Sequence, residues 1–111
     1  MNSKVSAGRI AEEQAAEYLL KLGYTIITRN FQIRGGEIDL IALDGEVLVF
    51  VEVRWRTDDL GEESIGPKKV AALRRAIHRY LTDMEETRSF RCDVVTVSPK
   101  ELRHHQDFLS S

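Results

Sequence analysis

An α/β fold with a central mixed β-sheet flanked by helices, in the order α-β-β-β-α-β, is what this sequence predicts, and three observations carry the prediction. Apolar residues recur at helical spacing in two stretches, one near the start and one past the middle of the chain. Two Ile/Val-rich runs meet at Asp44-Gly45, the strongest short hairpin signal a sequence offers. A further valine-rich run, Arg91–Ser98, follows the second helical stretch. At 111 residues the chain fits one domain, residues 1–111, with a single core.

The first helix is read from Ala7, Ile10, Ala11, Ala15, Tyr18, Leu19 and Leu22, with Ser3 or Ser6 as N-cap and Gly23 as its stop. Tyr24–Phe31 is β-branched and aromatic-flanked, so it reads as a strand, and Arg34-Gly35-Gly36 as the turn after it. Glu37–Leu43 and Val47–Trp55 form an antiparallel pair. Thr57–Gly66 is polar, acidic and glycine-bearing, which predicts an exposed, mobile loop. Pro67 opens a second helix running to about Asp83, with Val70, Leu73, Ile77, Tyr80 and Leu81 as its apolar stripe. From about residue 99 the chain reads as a polar tail, with contacts from Phe108 and Leu109.

Composition narrows the function classes. One cysteine, Cys92, forms no internal disulfide, and no Cys/His pattern has zinc-finger spacing. Met1–Gly8 lacks the apolar stretch of a signal peptide, and the longest apolar run, Val47–Val51, is too short to span a bilayer, so a cytoplasmic protein without a membrane partner is expected. The net charge of −2 argues against a histone-like coat on nucleic acid. Basic residues nevertheless collect at Arg54–Arg56 and Lys68–Arg79, either as a local phosphate-binding face or as solvated surface.

The carboxylates on the hairpin are the chemically informative feature. A loop centred on Asp44-Gly45 makes Leu43 oppose Glu46, hence Asp39 oppose Phe50 and Glu37 oppose Glu52. Glu37, Asp39 and Glu52 then share one face, while Ile38, Leu40, Ala42 and Val47, Val49, Val51, Val53 form an aliphatic face behind it. Like charges opposed across a sheet are unfavourable, and a divalent cation with hard oxygen ligands would offset them. On the first helix, Glu12 has Gly8, Ala15, Ala16 and Leu19 around it and is expected to lean toward the sheet, unlike Glu13 and Glu17. His104 and His105 in the tail and His78 on a helix are expected to be solvated, which leaves Ser/His/Asp hydrolysis little support.

Taken together, Gly8-x-x-Ala11-Glu12, Gly36-Glu37-Ile38-Asp39-Leu40-Ile41-Ala42, Val49-Phe50-Val51-Glu52-Val53-Arg54 and Arg91-Cys92-Asp93-Val94-Val95 resemble the bacterial YraN-like family of small proteins. That family is similar to the archaeal Holliday-junction resolvases and the restriction-endonuclease-like superfamily, whose signature is an acid on a helix, an Asp on one strand and Glu-x-Lys on the next. The resemblance implies a restriction-endonuclease-like fold with Glu12, Asp39 and Glu52 as ligands of Mg²⁺ or Mn²⁺, and with Arg54 in the place of the superfamily lysine. Asp39, Glu52 and Arg54 would be the catalytic set. Arginine is effectively always protonated and so cannot act as a base, although it can stabilise charge on a phosphate. Lys68 or Lys69 would then supply a displaced ammonium, or metal alone would activate the water, or the site would not cut.

Two functions follow from this resemblance. One is a metal-dependent endonuclease hydrolysing phosphodiester bonds in structured or branched DNA, with Arg54, Arg56, Lys68, Lys69, Arg74 and Arg75 on the nucleic-acid surface. The other is a catalytically inactive nuclease-fold module that binds nucleic acid or a protein partner. A homodimer would suit a branched, twofold substrate, with Trp55 either at its interface or in the core.

Overall fold

The computed structural model describes residues 3–57 and 65–109, with side chains from Gly8 onward, so the greater part of the expected 57–66 loop lies outside the described part; the first helix begins at Ser3, which leaves Ser6, one of the two proposed N-caps, inside it. The elements are α1 (Ser3–Lys21), β1 (Thr25–Ile33), β2 (Gly36–Asp44), β3 (Val47–Trp55), α2 (Pro67–Asp83), β4 (Phe90–Val97) and β5 (Leu102–His105). They build a mixed α/β structure around one five-stranded sheet of order β1-β2-β3-β4-β5. The β1/β2, β2/β3 and β4/β5 pairs are antiparallel, whereas β3 and β4, joined through α2, are parallel. No helix among the described residues is long and apolar enough to cross a membrane.

Sequence explains the helix ends. Gly23 adopts φ +94°, and Gly23 N–H donates to the Leu20 carbonyl while Tyr24 N–H donates to that of Leu19, a Schellman closure that needs a left-handed residue at this position. Pro67 opens α2, where its missing N–H costs nothing. α1 buries the small stripe Ala11, Ala15, Ala16 and Leu19 against one face of the sheet, packing on Leu40, Ala42, Val49, Val51, Val95 and Val97. α2 buries Leu73, Ala76, Ile77 and Tyr80 on the other face against Ile38, Ile41, Leu48, Phe50 and Cys92. Tyr80 meets Phe31 and Phe50 edge to face, with ring centroids 5.3 and 5.6 Å apart. Gly36 permits this contact: a Cβ there would lie 2.4 Å from the Ala72 carbonyl oxygen, so β2 and α2 touch backbone to backbone.

Several expectations need correction. Ile10 and Leu22, assigned to the buried stripe of α1, are 53% and 50% exposed, because the stripe is centred on positions 11, 15 and 19. The supposed polar tail contains β5, which pairs with β4. The face of the hairpin that carries Glu52 lies under α2 with Ile41, Leu48 and Phe50. Strict alternation also fails in β2, since Ile38 and Ile41 belong to the α2 side and Leu40 and Ala42 to the α1 side. Asp39 sits at that break. Trp55 is half-buried against the α1-side core, as the packing alternative expected.

Candidate functional site

The β2–β3 ladder sets the site. Asp44 pairs with Val47 and Leu40 with Val51, so the two-residue loop is Gly45-Glu46, with Gly45 at φ +60°. The first central position of a primed turn requires that sign of φ, which is why the glycine and not the aspartate leads the loop. The Asp44 carboxylate stays beside the ladder, accepting from Arg91 Nη1 at 3.1 Å. Relative to the expected register the strands are offset by two residues. Counting on from Leu40↔Val51 brings Asp39, not Glu37, level with Glu52. An even offset leaves the acids on the same face.

Beyond Leu40↔Val51 the Asp39 side chain takes over bonding to the neighbouring strand, its Oδ2 accepting from the Val53 N–H at 2.8 Å. Asp39 and Glu52 are only 7% and 2% exposed. Burial, reinforced by the charge of Glu52, pushes the Asp39 carboxyl up to about 7. Glu52 is also raised, chiefly by burial, against the opposing pull of Lys69, whose Nζ lies 3.0 Å from Oε1; Arg54 pulls in the same direction as Lys69. Glu12 is half-buried while Glu13 and Glu17 are exposed, as expected. It too is raised, by burial and then by the charges of Asp39 and Glu37, and its carboxylate is held by the side chain of Asn30.

The expected residues thus fall into two sets. Asp39, Glu52, Arg54, Lys69 and, on the flank, Glu12 act on one another electrostatically. Lys68, Arg74 and Arg75 are exposed along α2, with Arg75 donating to the Gly35 carbonyl at 3.0 Å. Arg56 follows the end of β3 and is half-buried, its N–H donating to the Val97 carbonyl. A cavity of about 380 Å³ opens beside Glu52, Glu37, Lys69, Gln32 and Gly36.

Sequence reasoning missed Asn30. It stands at φ +55°, a conformation asparagine tolerates better than most residues, and the signal was an asparagine inside a β-branched strand. It also misjudged His104, which is not solvated: its side chain is 7% exposed, with Nε2 2.8 Å from Asp93 Oδ2 and Nδ1 2.9 Å from the Tyr18 hydroxyl. His78 and His105 are exposed, as expected.

Two buried carboxylates with raised proton affinity are hard oxygen donors of the kind Mg²⁺ and Mn²⁺ take. Among the described residues, however, no three His, Cys, Asp or Glu side chains stand ready as a cation cage. The donor chemistry of Asp39 and Glu52 fits a divalent ion.

The profile of the uncharacterised protein family UPF0102 matches residues 11–97. A UPF0102 protein of Carboxydothermus hydrogenoformans is 53% identical over 77 residues, covering 67% of this chain and 65% of that protein. One from Chloroflexus aurantiacus is 42% identical over 95 residues, covering 84% and 79%. The protein HEAR0176 of Herminiimonas arsenicoxydans is 37% identical over 107 residues, covering 94% and 86%. The matched span contains the hairpin acids and the Asp93 motif.

Proposed function

The chain belongs to the UPF0102 family, the YraN-like proteins its motifs resemble, and from that premise we propose that it is a metal-dependent endonuclease of restriction-endonuclease-like fold, acting on structured or branched DNA. The observation that carries the reading is the pair Asp39 and Glu52, two buried carboxylates side by side on adjacent strands at the end of a ladder. Such an arrangement opposes folding in the absence of a counter-charge and suits the binding of a hard cation.

The chemistry that a bound Mg²⁺ or Mn²⁺ supplies is polarisation of a phosphate oxygen and a lowered pKa of bound water. Asp39 and Glu52 would hold it, and the Val53 N–H fixes the orientation of the Asp39 carboxylate. Glu12, steered by Asn30, would complete the acidic wall. Arg54, close enough to influence Glu52, would stabilise charge on the scissile phosphate and cannot serve as base. Lys69 is the available displaced ammonium. Lys68, Arg74, Arg75 and Arg56 would contact the DNA backbone, an electrostatic and salt-dependent interaction. The protein would act in the cytoplasm, and a twofold pair of copies would match a branched substrate.

One observation favours the second reading, a nuclease-fold module that binds without cutting: Glu52 is already neutralised by Lys69. Incubation with linear, single-stranded and branched DNA in Mg²⁺, Mn²⁺ or EDTA separates the two. The expected result is EDTA-sensitive cutting, lowered on the order of 10²-fold or more in Glu52→Ala. Binding of DNA with no cutting under any metal would select the module.

A further inference from the structure

The first turn of α2 runs against helix electrostatics. Lys68 and Lys69 stand where the macrodipole favours anions, and that turn holds no acid. Lys69 finds its compensation in the strand beneath it, in the buried Glu52 carboxylate 3.0 Å away. The two partners are unequal: the Lys69 side chain is 56% exposed and that of Glu52 is 2% exposed. An ammonium on an exposed, flexible stem can leave by rotation about its own side-chain bonds, whereas the carboxylate cannot follow it.

The setting gives that movement somewhere to go. The cavity of about 380 Å³ beside the pair also borders Glu37 and Gly36. That is room for roughly a dozen water molecules at about 30 Å³ each, enough for a partly hydrated cation and a phosphate group. The close backbone contact at Gly36 and Ala72 fixes the first turns of α2 over this face, so the lysine reaches Glu52 from a rigid platform.

We propose that Lys69 is an exchangeable internal counter-ion: without metal its ammonium neutralises Glu52, and a divalent cation binds Glu52 by displacing it toward the mouth of the cavity. The displaced ammonium is then free to meet a phosphate oxygen. This rests on the metal reading above and adds a built-in competitor, so that loading the cation and presenting a positive charge to the substrate are one event.

Mn²⁺ binding to the full chain, followed by calorimetry, tests it. Lys69→Met should bind Mn²⁺ about tenfold more tightly than wild type or better, because the competing charge is gone. Lys68→Met, one residue away and also exposed, should stay within about twofold. Metal-free Lys69→Met should melt below wild type, and saturating Mn²⁺ should close that gap. Lys69→Gln keeps a hydrogen-bond donor for Glu52 without the charge, and should show the same tightening if the methionine variant folds poorly. Binding detectable only in the Lys69 variants would mean that the cation cannot displace the ammonium, and would overturn the exchange. Unchanged or weaker Mn²⁺ affinity in both Lys69 variants, or equal tightening in Lys68→Met, would overturn the counter-ion role and leave the metal reading standing. Absence of Mn²⁺ binding in wild type and in both Lys69 variants would overturn the two together.

Discussion

Asp39 with Glu52 on one side of the sheet and Asp93 on the other are buried to a similar depth, 7%, 2% and 0% exposed, yet their proton affinities move in opposite directions. Burial raises all of them. Around Asp93 it is outweighed by His104 Nε2 at 2.8 Å, the Asp107 N–H at 2.9 Å and Arg91 Nε at 3.1 Å, and the carboxyl is held below its ordinary value. Around Asp39 and Glu52 the donors do not overcome burial and the charges of neighbouring carboxylates, Glu52 on Asp39 and Glu37 on both, and both carboxyls are raised. A buried acid that its surroundings have satisfied is a structural anchor, whereas a buried pair left in conflict marks a site kept for something else.

The largest effect expected from this contrast is on the satisfied side. Asp93→Ala would leave Arg91 and His104 without their shared carboxylate and free the turn at Asp107, costing about 3–5 kcal/mol, as breaking a buried ion pair does. The pH dependence has a definite sign. A carboxyl lowered from 3.8 contributes stability that is present above that value and lost as pH falls through its folded value. The gap between wild type and Asp93→Ala, measured by urea unfolding, should therefore narrow only below about pH 4. A loss under about 1 kcal/mol at pH 7 would break the comparison.

On the unsatisfied side the sign reverses and the effect is smaller. Asp39, raised from 3.8 to about 7, favours folding below its unfolded value, and that contribution is lost as pH rises through the folded one. The metal-free protein should therefore weaken between about pH 4 and 8. Asp39→Asn keeps an oxygen for the Val53 N–H and removes the charge, so it should stabilise the protein in EDTA by about 1–2 kcal/mol at pH 8, with little gain at pH 4. Unfolding in EDTA across that range checks it, and a gain independent of pH would point to packing instead of charge.

How much of this was legible in the sequence follows the same divide. The hairpin acids were readable because period-two alternation assigns a face even when the register is wrong, and an error of two residues moved them along the strand without turning them over. The aspartate of Asp44-Gly45 was read as a turn residue, but its pairing with Arg91, 47 positions away, lies beyond any local rule. The break in β2 at Asp39 was illegible for a similar reason, since Ile38 turns toward α2 and packing overrides alternation. β5 was missed because the sequence Leu102–His105 points only Leu102 and His104 inward, and a buried histidine gives no apolar signal. Its partner Tyr18 is 86 positions distant. The outer partners of the Asp93 anchor, Asp44, Tyr24 and Tyr18, come from 47, 67 and 86 positions away, whereas Asp39 and Glu52 at the centre of the candidate site belong to one hairpin.

The finest test of the anchor is the far end of its chain. Tyr18 on α1 meets His104 Nδ1 at 2.9 Å, and His104 Nε2 meets Asp93, so a neutral imidazole satisfies both contacts only with its proton on Nε2, donating to Asp93 and accepting from the Tyr18 hydroxyl. Burial raises the Tyr18 phenol above 10.0, which keeps its O–H as a donor at neutral pH. Tyr18→Phe retains the edge-on ring contact, with centroids 5.4 Å apart, and removes the hydroxyl alone. It should cost about 0.5–1.5 kcal/mol, the net worth of one hydrogen bond. Amide exchange should quicken in β5, whose seat on the sheet depends on His104, while β2 and β3 around Asp39 keep their protection. Nitrogen chemical shifts of His104 should report the Nε2–H tautomer in wild type and a loss of that preference in Asp93→Ala. Exchange that quickens equally at Asp39 and at β5 would mean that the two carboxylate regions share one cooperative unit, and the contrast between anchor and site would be one of chemistry without mechanical independence.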